Sequence, residues 1–279
     1  MLKIALTGAS GLVGSRIIEI LKDRFDFIPV SQDRMDITNK DQVEKNLSNL
    51  EFDIFLHLAA YTDVDGAEKE KTAAYVINVK GTENVFKTVK KLGKKFIYVS
   101  TDFVFDGQKP PYFEDSQPNP ISYYGLTKYE GERIVRDQAM IVRFSYPYRA
   151  RFDQKKDFVR TIKTFLEQQK SLTMVNDSLM TPTFIDDIAE SFGHLFLNFS
   201  PKIYHIVGQD SMSPFQAARK IAETFNLDSR LISSISYDKY FKNKAKRPKL
   251  ADMKSKKNDF FSMKTFSQGL KILSQSSMI

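Results

Sequence analysis

Apolar residues follow two alternating rhythms along the first half of the chain. Lys3 to Leu6 is a short apolar run that feeds a glycine-rich turn, and Leu12 to Leu21 then repeats apolar residues at helical spacing. The pair recurs as Phe27 to Val30 and Lys40 to Leu47, Asp53 to Leu58 and Lys71 to Leu92, then Lys95 to Val99 and Tyr123 to Asp137, before a last run from Met140 to Val142. Strands alternating with helices predict right-handed crossovers and a doubly wound parallel α/β sheet covered on both faces. Past Arg143 the pattern loosens. Helical periodicity returns at Phe158 to Leu166, Ile185 to Phe196 and Pro214 to Phe225, with a strand-like Ile203 to Val207 between. The expected organisation is one domain over 1-145 and a smaller α/β lobe over 146-279, packed on the sheet's carboxyl edge and returning some segments to the first domain.

Composition narrows the chemistry. The 279 residues include no cysteine, which excludes disulfides, thiol catalysis and Cys-ligated zinc or iron-sulfur centres. The apolar runs are far short of a membrane span, and the first residues lack a signal peptide's longer apolar core, so a cytoplasmic protein with no membrane partner is expected. Lys and Arg exceed Asp and Glu by 42 to 34, a net +8 that favours anionic ligands. Nine of the basic residues fall between Lys239 and Lys257 against one acid, Asp252. Such runs are usually solvated faces; contact with a diphosphate is the next reading, and nucleic acid is not the expected partner. His57, His194 and His205 have no metal-ligand spacing, and no metal site is expected.

Gly8, Gly11 and Gly14 follow the first strand and open the first helix. Glycines there permit a tight turn, let backbone approach a pyrophosphate and let helix pack close to strand, while the helix N-terminal amides meet the negative charge. This predicts a dinucleotide cofactor on a Rossmann-like sheet. After the second strand stand Ser31, Gln32, Asp33 and Arg34. No acid awaits a ribose 2′-hydroxyl immediately after Val30, and Arg34 suits a 2′-phosphate, so NADP(H) is favoured over NAD(H).

Tyr124 and Lys128 lie four apart in a helical segment, on one face about a turn apart. An ammonium about 5 Å from a phenol is worth roughly 3 kcal/mol at an effective dielectric near 20, enough to lower its pKa by about two units towards catalytic range. Thr101 ends the fourth strand, at the sheet edge where such folds bind ligands, and its hydroxyl suits a substrate carbonyl.

These residues resemble the extended short-chain dehydrogenase/reductase superfamily and, within it, the dTDP-4-dehydrorhamnose reductase family. The resemblance is carried by Thr7 to Gly14, Met35-Asp36-Ile37-Thr38, Leu58 to Asp65, Asn78 to Thr82, Ser100 to Gly107, Asn119-Pro120, Tyr124-Gly125, Lys128, Gly131-Glu132, Thr181-Pro182-Thr183 and Arg247-Pro248. The regulatory β subunit of methionine adenosyltransferase is similar at the same places. What the resemblance implies is a catalytic triad of Thr101, Tyr124 and Lys128. It implies cofactor contacts from Leu12, Val13, Asp36, Ile37, Ala59, Ala60 and Thr62, and substrate contacts from Thr101, Asp102, Phe103, Tyr146 and Arg247. The implied activity is reduction of a nucleotide-linked 4-keto-6-deoxy sugar. Epimerase or dehydratase chemistry and a cofactor-binding regulatory subunit are the alternatives. The resemblance also implies a homodimer through Val76 to Leu92 and Tyr123 to Val135. Phe103 stands where the family usually has tyrosine, Tyr146-Pro147-Tyr148 where a tryptophan is common, and Lys249 to Asp252 where asparagine and serine follow Arg-Pro.

Overall fold

A computed structural model of the chain describes residues 1–150, 152 and 154–276. The first half is built of β1 (Lys3–Thr7), α1 (Gly14–Leu21), β2 (Asp26–Val30), α2 (Lys40–Ser48), β3 (Ile54–His57), α3 (Val64–Lys69), α4 (Lys71–Tyr75), α5 (Thr82–Lys91), β4 (Lys95–Thr101), α6 (Tyr123–Val135) and β5 (Met140–Phe144). The second half adds β6 (Pro147–Tyr148), α7 (Phe158–Glu167), β7 (Leu172–Val175), β8 (Thr183–Phe184), α8 (Ile185–Leu197), β9 (Ile203–His205), α9 (Pro214–Thr224), β10 (Ile232–Ile235), α10 (Tyr237–Tyr240) and α11 (Phe266–Ser276).

Six strands form one sheet in the order β2-β1-β3-β4-β5-β9, every neighbouring pair parallel. Because side chains alternate across a strand, each strand feeds two cores. Ile4, Leu6, Leu56, Ile97, Val99 and Val142 face α1 and α8, meeting Ile17, Ile188, Phe192 and Phe196. Ala5, Phe55, Phe96, Tyr98 and Ile141 face the other way, against Val43, Leu47, Val85, Val89 and Val135 of α2, α5 and α6. A third core, around Tyr148, Ile162, Phe184, Ile221 and Phe266, fills the second lobe. The second half returns twice to the sheet: β9 pairs with β5, and α8 covers the face shared with α1. No helix among the described residues is long and apolar enough to cross a membrane.

The expected helix from Lys71 to Leu92 is broken into α4, a π-helical stretch Val76–Gly81 and α5. The wider stretch lets Gly81 pass Ile37, whose side chain lies 2.8 Å from where a Cβ would stand. Three residues of the basic run from Lys239 to Lys257 pair with acids remote in sequence: Arg247 with Asp65, Lys249 with Asp177 and Lys256 with Asp115.

One ion pair ties α6 to β5 in the interior. Arg143 Nε donates to Glu132 Oε1 at 2.8 Å and Nη2 to Oε2 at 2.6 Å, with the side chains 1% and 4% exposed. Arg143 also donates from Nη1 to His205 Nε2 at 3.3 Å and lies over the Phe105 ring. Burial, followed by the Arg143 charge, pushes His205 down to about 4, so its neutral ring accepts at Nε2 while Nδ1 donates to the Lys254 carbonyl at 2.9 Å. Removing one partner leaves a buried charge unanswered. Glu132→Ala is therefore expected to cost about 3–5 kcal/mol, read as a lower urea midpoint, and pairing Glu132→Leu with Arg143→Met should recover most of it.

Candidate active site

The glycine turn sits between β1 and α1 at the carboxyl end of the sheet. Gly8 has φ +70°, in the region only glycine adopts freely, and a Cβ there would stand 3.0 Å from Leu58 Cβ and 3.1 Å from the Ala59 nitrogen. A Cβ on Gly14 would meet the Gly8 carbonyl at 2.3 Å. Gly11 is different: it is exposed, and a Cβ would touch only the Gly8 carbonyl, at 3.1 Å. No side chain caps the N-terminus of α1, and its first turn carries no acid. The cradle therefore fits a pyrophosphate, with the Leu12 and Val13 backbone at its floor and Gly11 open above it.

The other expected cofactor residues lie along the same edge. Ser31 and Arg34 are exposed just beyond β2. Asp36 is half-buried, its Oδ1 holding the Thr38 amide at 2.9 Å and hydroxyl at 2.8 Å, while Ile37 is buried. Ala59 and Ala60 are half-buried and Thr62 is exposed beyond β3. Three strand spacings separate β2 from β4, about 14 Å. A ligand joining Arg34 to Thr101 must lie extended across the sheet edge.

At the end of β4, Thr101 leads into a single turn of 3-10 helix, Asp102–Val104, whose first amide, from Phe103, donates back to Thr101 Oγ1 at 3.3 Å. Ser122 starts α6 by accepting from the Gly125 amide at 3.1 Å, and Glu68 of α3 accepts from the Tyr123 amide at 2.8 Å. Two glycines bring α6 close. A Cβ on Gly125 would stand 2.2 Å from the Phe103 carbonyl, and one on Gly131 2.2 Å from the Tyr98 hydroxyl. Tyr124 is thereby buried beside Thr101, with the Phe103 ring edge-on at 5.4 Å. Lys128, 4% exposed, donates to the Val99 carbonyl at 2.8 Å and lies 4.2 Å over the Tyr98 ring.

The electrostatics overturn one expectation. Burial raises the Tyr124 phenol above its usual value, the Asp102 carboxylate adds to the rise, and the Thr101 hydroxyl opposes it. Lys128 is itself pushed down to about 7 by burial, opposed by Glu132. Helical spacing gave the proximity of the two groups; it could not report the low dielectric that governs both.

On the substrate side, Asp102 is buried behind Thr101 rather than facing the cleft. Tyr146 is half-buried, with φ +42°, and burial and Asp102 raise its phenol while Arg247 opposes them. Arg247 is held by Asp65 through contacts of 2.8 Å and 3.2 Å. Thr101, Asp102, Phe103 and Tyr124 of the first half thus meet Tyr146 of the lobe, with Arg247 on the far side of Tyr146. An open cleft lined by Asp65, Glu68, Lys244 and Lys246 adjoins it. His57 is a core residue, between the Thr7 and Thr82 hydroxyls at 2.8 and 3.2 Å, and burial pushes it down to about 3.

Sequence reasoning passed over Tyr98 and Ser145, and it placed Asn78 and Asp65 in matching segments without giving either a partner. Asn78 donates to Thr127 Oγ1 at 2.9 Å and accepts from the Tyr61 amide at 2.7 Å, locking the loop after β3 to α6. The matching segment Asn78 to Thr82 marked the position, but not the contacts its amide makes.

A buried ammonium destabilises the fold in a pH-dependent way. Lys128 titrates near 7 in the folded chain and near 10.5 when unfolded. Below 7 the native state carries the full penalty, and stability rises between 7 and 10.5, where only the unfolded chain still binds the proton. Lys128→Met should therefore raise the stability of the ligand-free protein by about 1–4 kcal/mol. Thermal melts should show that advantage largest near pH 6 and fading towards pH 10.

Comparisons with known proteins give the family and the fold. A family model described as the RmlD substrate binding domain matches residues 2–276. The spore coat polysaccharide biosynthesis protein SpsK of Bacillus subtilis is 31% identical over 89% of this chain and 87% of its own length. A dTDP-4-dehydrorhamnose reductase of Aggregatibacter actinomycetemcomitans is 30% identical over 78% of this chain and 77% of its own. The crystal structure of dTDP-4-dehydrorhamnose reductase from Bacillus anthracis, in complex with NADP, superposes with a TM-score of 0.92 at 32% identity, covering 99% of this chain and 100% of that one. With the model matched along nearly the whole chain, the protein belongs to the RmlD substrate binding domain family.

Proposed function

We propose that the protein is an NADPH-dependent reductase of a nucleotide-linked 4-keto-6-deoxy sugar, of the dTDP-4-dehydrorhamnose reductase type. The observation that carries this reading is the grouping of Thr101, Tyr124 and Lys128 at the carboxyl end of β4, on the same sheet edge as the uncapped glycine cradle. The similar reductase from B. anthracis holds NADP.

The work is divided among the chain's residues. Gly8, Gly11, Leu12, Val13 and Gly14 hold the pyrophosphate. Asp36, Ile37, Ala59, Ala60 and Thr62 line the adenosine side, and Ser31 with Arg34 meets a 2′-phosphate. When bound, the cofactor supplies a hydride to the sugar ketone. Tyr124 gives its proton to the oxygen, which becomes the alcohol. Burial keeps the Tyr124 phenol protonated in the ligand-free protein, so the proton is in place when the substrate arrives. Thr101 steadies the oxygen, and Lys128 holds the cofactor ribose. Phe103 and Tyr146 border the sugar, and Arg247 faces the diphosphate. In this reading residues 1-145 carry the cofactor and 146-279 mainly the substrate. We also propose a cytoplasmic homodimer through Val76 to Leu92 and Tyr123 to Val135, where Leu126 of α6 remains exposed.

The test is NADPH oxidation with a panel of keto-sugar nucleotides. Tyr124→Phe should lose 100-fold to 10,000-fold in kcat while cofactor affinity holds, because only the hydroxyl is removed. Near-normal kcat in that variant refutes the assigned role. For the cofactor, Gly11→Val should abolish binding measured by calorimetry, since its side chain fills the open cradle. Arg34→Ala should weaken NADPH about tenfold and leave NADH unchanged, through loss of one charge-assisted contact.

A further inference from the structure

The reductase reading, which the inference below presupposes, has Thr101 donating a hydrogen bond to the substrate oxygen. The structure commits that proton elsewhere. Thr101 Oγ1 donates to Asp102 Oδ1 at 2.9 Å, Ser145 Oγ donates to Oδ2 at 2.9 Å, and Asp102 is 2% exposed. Thr101 Oγ1 also accepts from the Phe103 amide at 3.3 Å.

A hydroxyl has one proton and two lone pairs, and an ionised carboxylate only accepts. With Asp102 ionised, the Thr101 proton is held by Oδ1 and one lone pair by Phe103. What remains towards the cleft and the Tyr124 phenol, which contacts Thr101, is a lone pair: it can accept from that phenol but repels charge developing on the substrate oxygen. With Asp102 protonated at Oδ1, the acid donates to Thr101, both lone pairs are filled, and the Thr101 proton is released to point outward.

We propose that Asp102 is a positioning residue whose protonation sets the direction of the Thr101 hydrogen bond, so that reduction runs through its carboxylic acid form. No proton leaves Asp102 in the step; Tyr124 remains the donor. The titratable groups facing the carboxyl are the phenols of Tyr124, from α6, and Tyr146, beyond β5. The cations nearby are Lys128, bonded to the Val99 carbonyl, and Arg247, which reaches Tyr146 and is paired with Asp65. Burial pushes Asp102 up to about 6, against the hydrogen bonds of Ser145, Thr101 and the Asp102 and Phe103 amides, so the acid form is populated close to neutrality.

The experiment is kcat/KM against pH at saturating NADPH for the wild type, Asp102→Asn and Ser145→Ala. The wild type should lose activity above about pH 6 through this group. Asp102→Asn, whose amide always donates to Thr101, should titrate one proton fewer over that limb and stay within about tenfold of wild type at low pH. Ser145→Ala removes a donor to the ionised form and should move the limb up by about one pH unit. An active wild type whose proton count matches Asp102→Asn, with Ser145→Ala unshifted, overturns the proposal alone. A wild type inert on every keto-sugar nucleotide overturns the reductase reading and this proposal with it.

Discussion

The contact on which the site depends is the approach of α6 to the end of β4. Gly125 passes the Phe103 carbonyl and Gly131 passes the Tyr98 hydroxyl, each at a distance that leaves no room for a Cβ. Any side chain at either point would lift the helix, and with it Tyr124 and Lys128, away from Thr101. The Asn78 amide and the Glu132 pair with Arg143 hold the same helix from its other neighbours. Three fixings on one helix are what rigid positioning of two functional groups requires.

That closeness has an electrostatic cost. The approach removes water from a phenol, an ammonium and a carboxyl at once, and burial is the first cause of the shift in each. The elsewhere-buried Glu132 and Arg143 answer each other through two hydrogen bonds. At the site, by contrast, Lys128 has a carbonyl and an aromatic face but no bonded counter-ion. Groups held so are poised to change protonation when a ligand arrives, and stability is sacrificed for that.

The sheet was legible because its strands are buried on both faces and read as apolar runs between helical periods. The grouping of Thr101, Tyr124 and Lys128 was legible because spacing along a helix and the end of a strand fix direction. What sequence could not supply was depth: the four-residue separation of Tyr124 and Lys128 suggested an ammonium lowering a phenol, whereas burial moves both towards their neutral forms. α3 escaped notice because six residues with a glycine at 66 give too little periodicity. The second lobe's strands are two to four residues long, shorter than any alternation can reveal. The π-helical stretch has a helical pattern in sequence, and only its packing against Ile37 distinguishes it.

The return of β9 and α8 to the sheet matters while the chain is being made. When Phe144 has left the ribosome, β5 is still a bare edge and the apolar face of β1, β3 and β4 has α1 but not α8 over it. The face is covered only after α8 ends at Leu197 and the edge only after His205 emerges, about 50 and 60 residues later, a delay of several seconds at ordinary synthesis rates. Throughout that interval the nascent sheet offers an unpaired strand to other chains. Vulnerability to misassembly is thus set by gene order: the residues that complete the sheet of the first half are encoded behind the start of the other half.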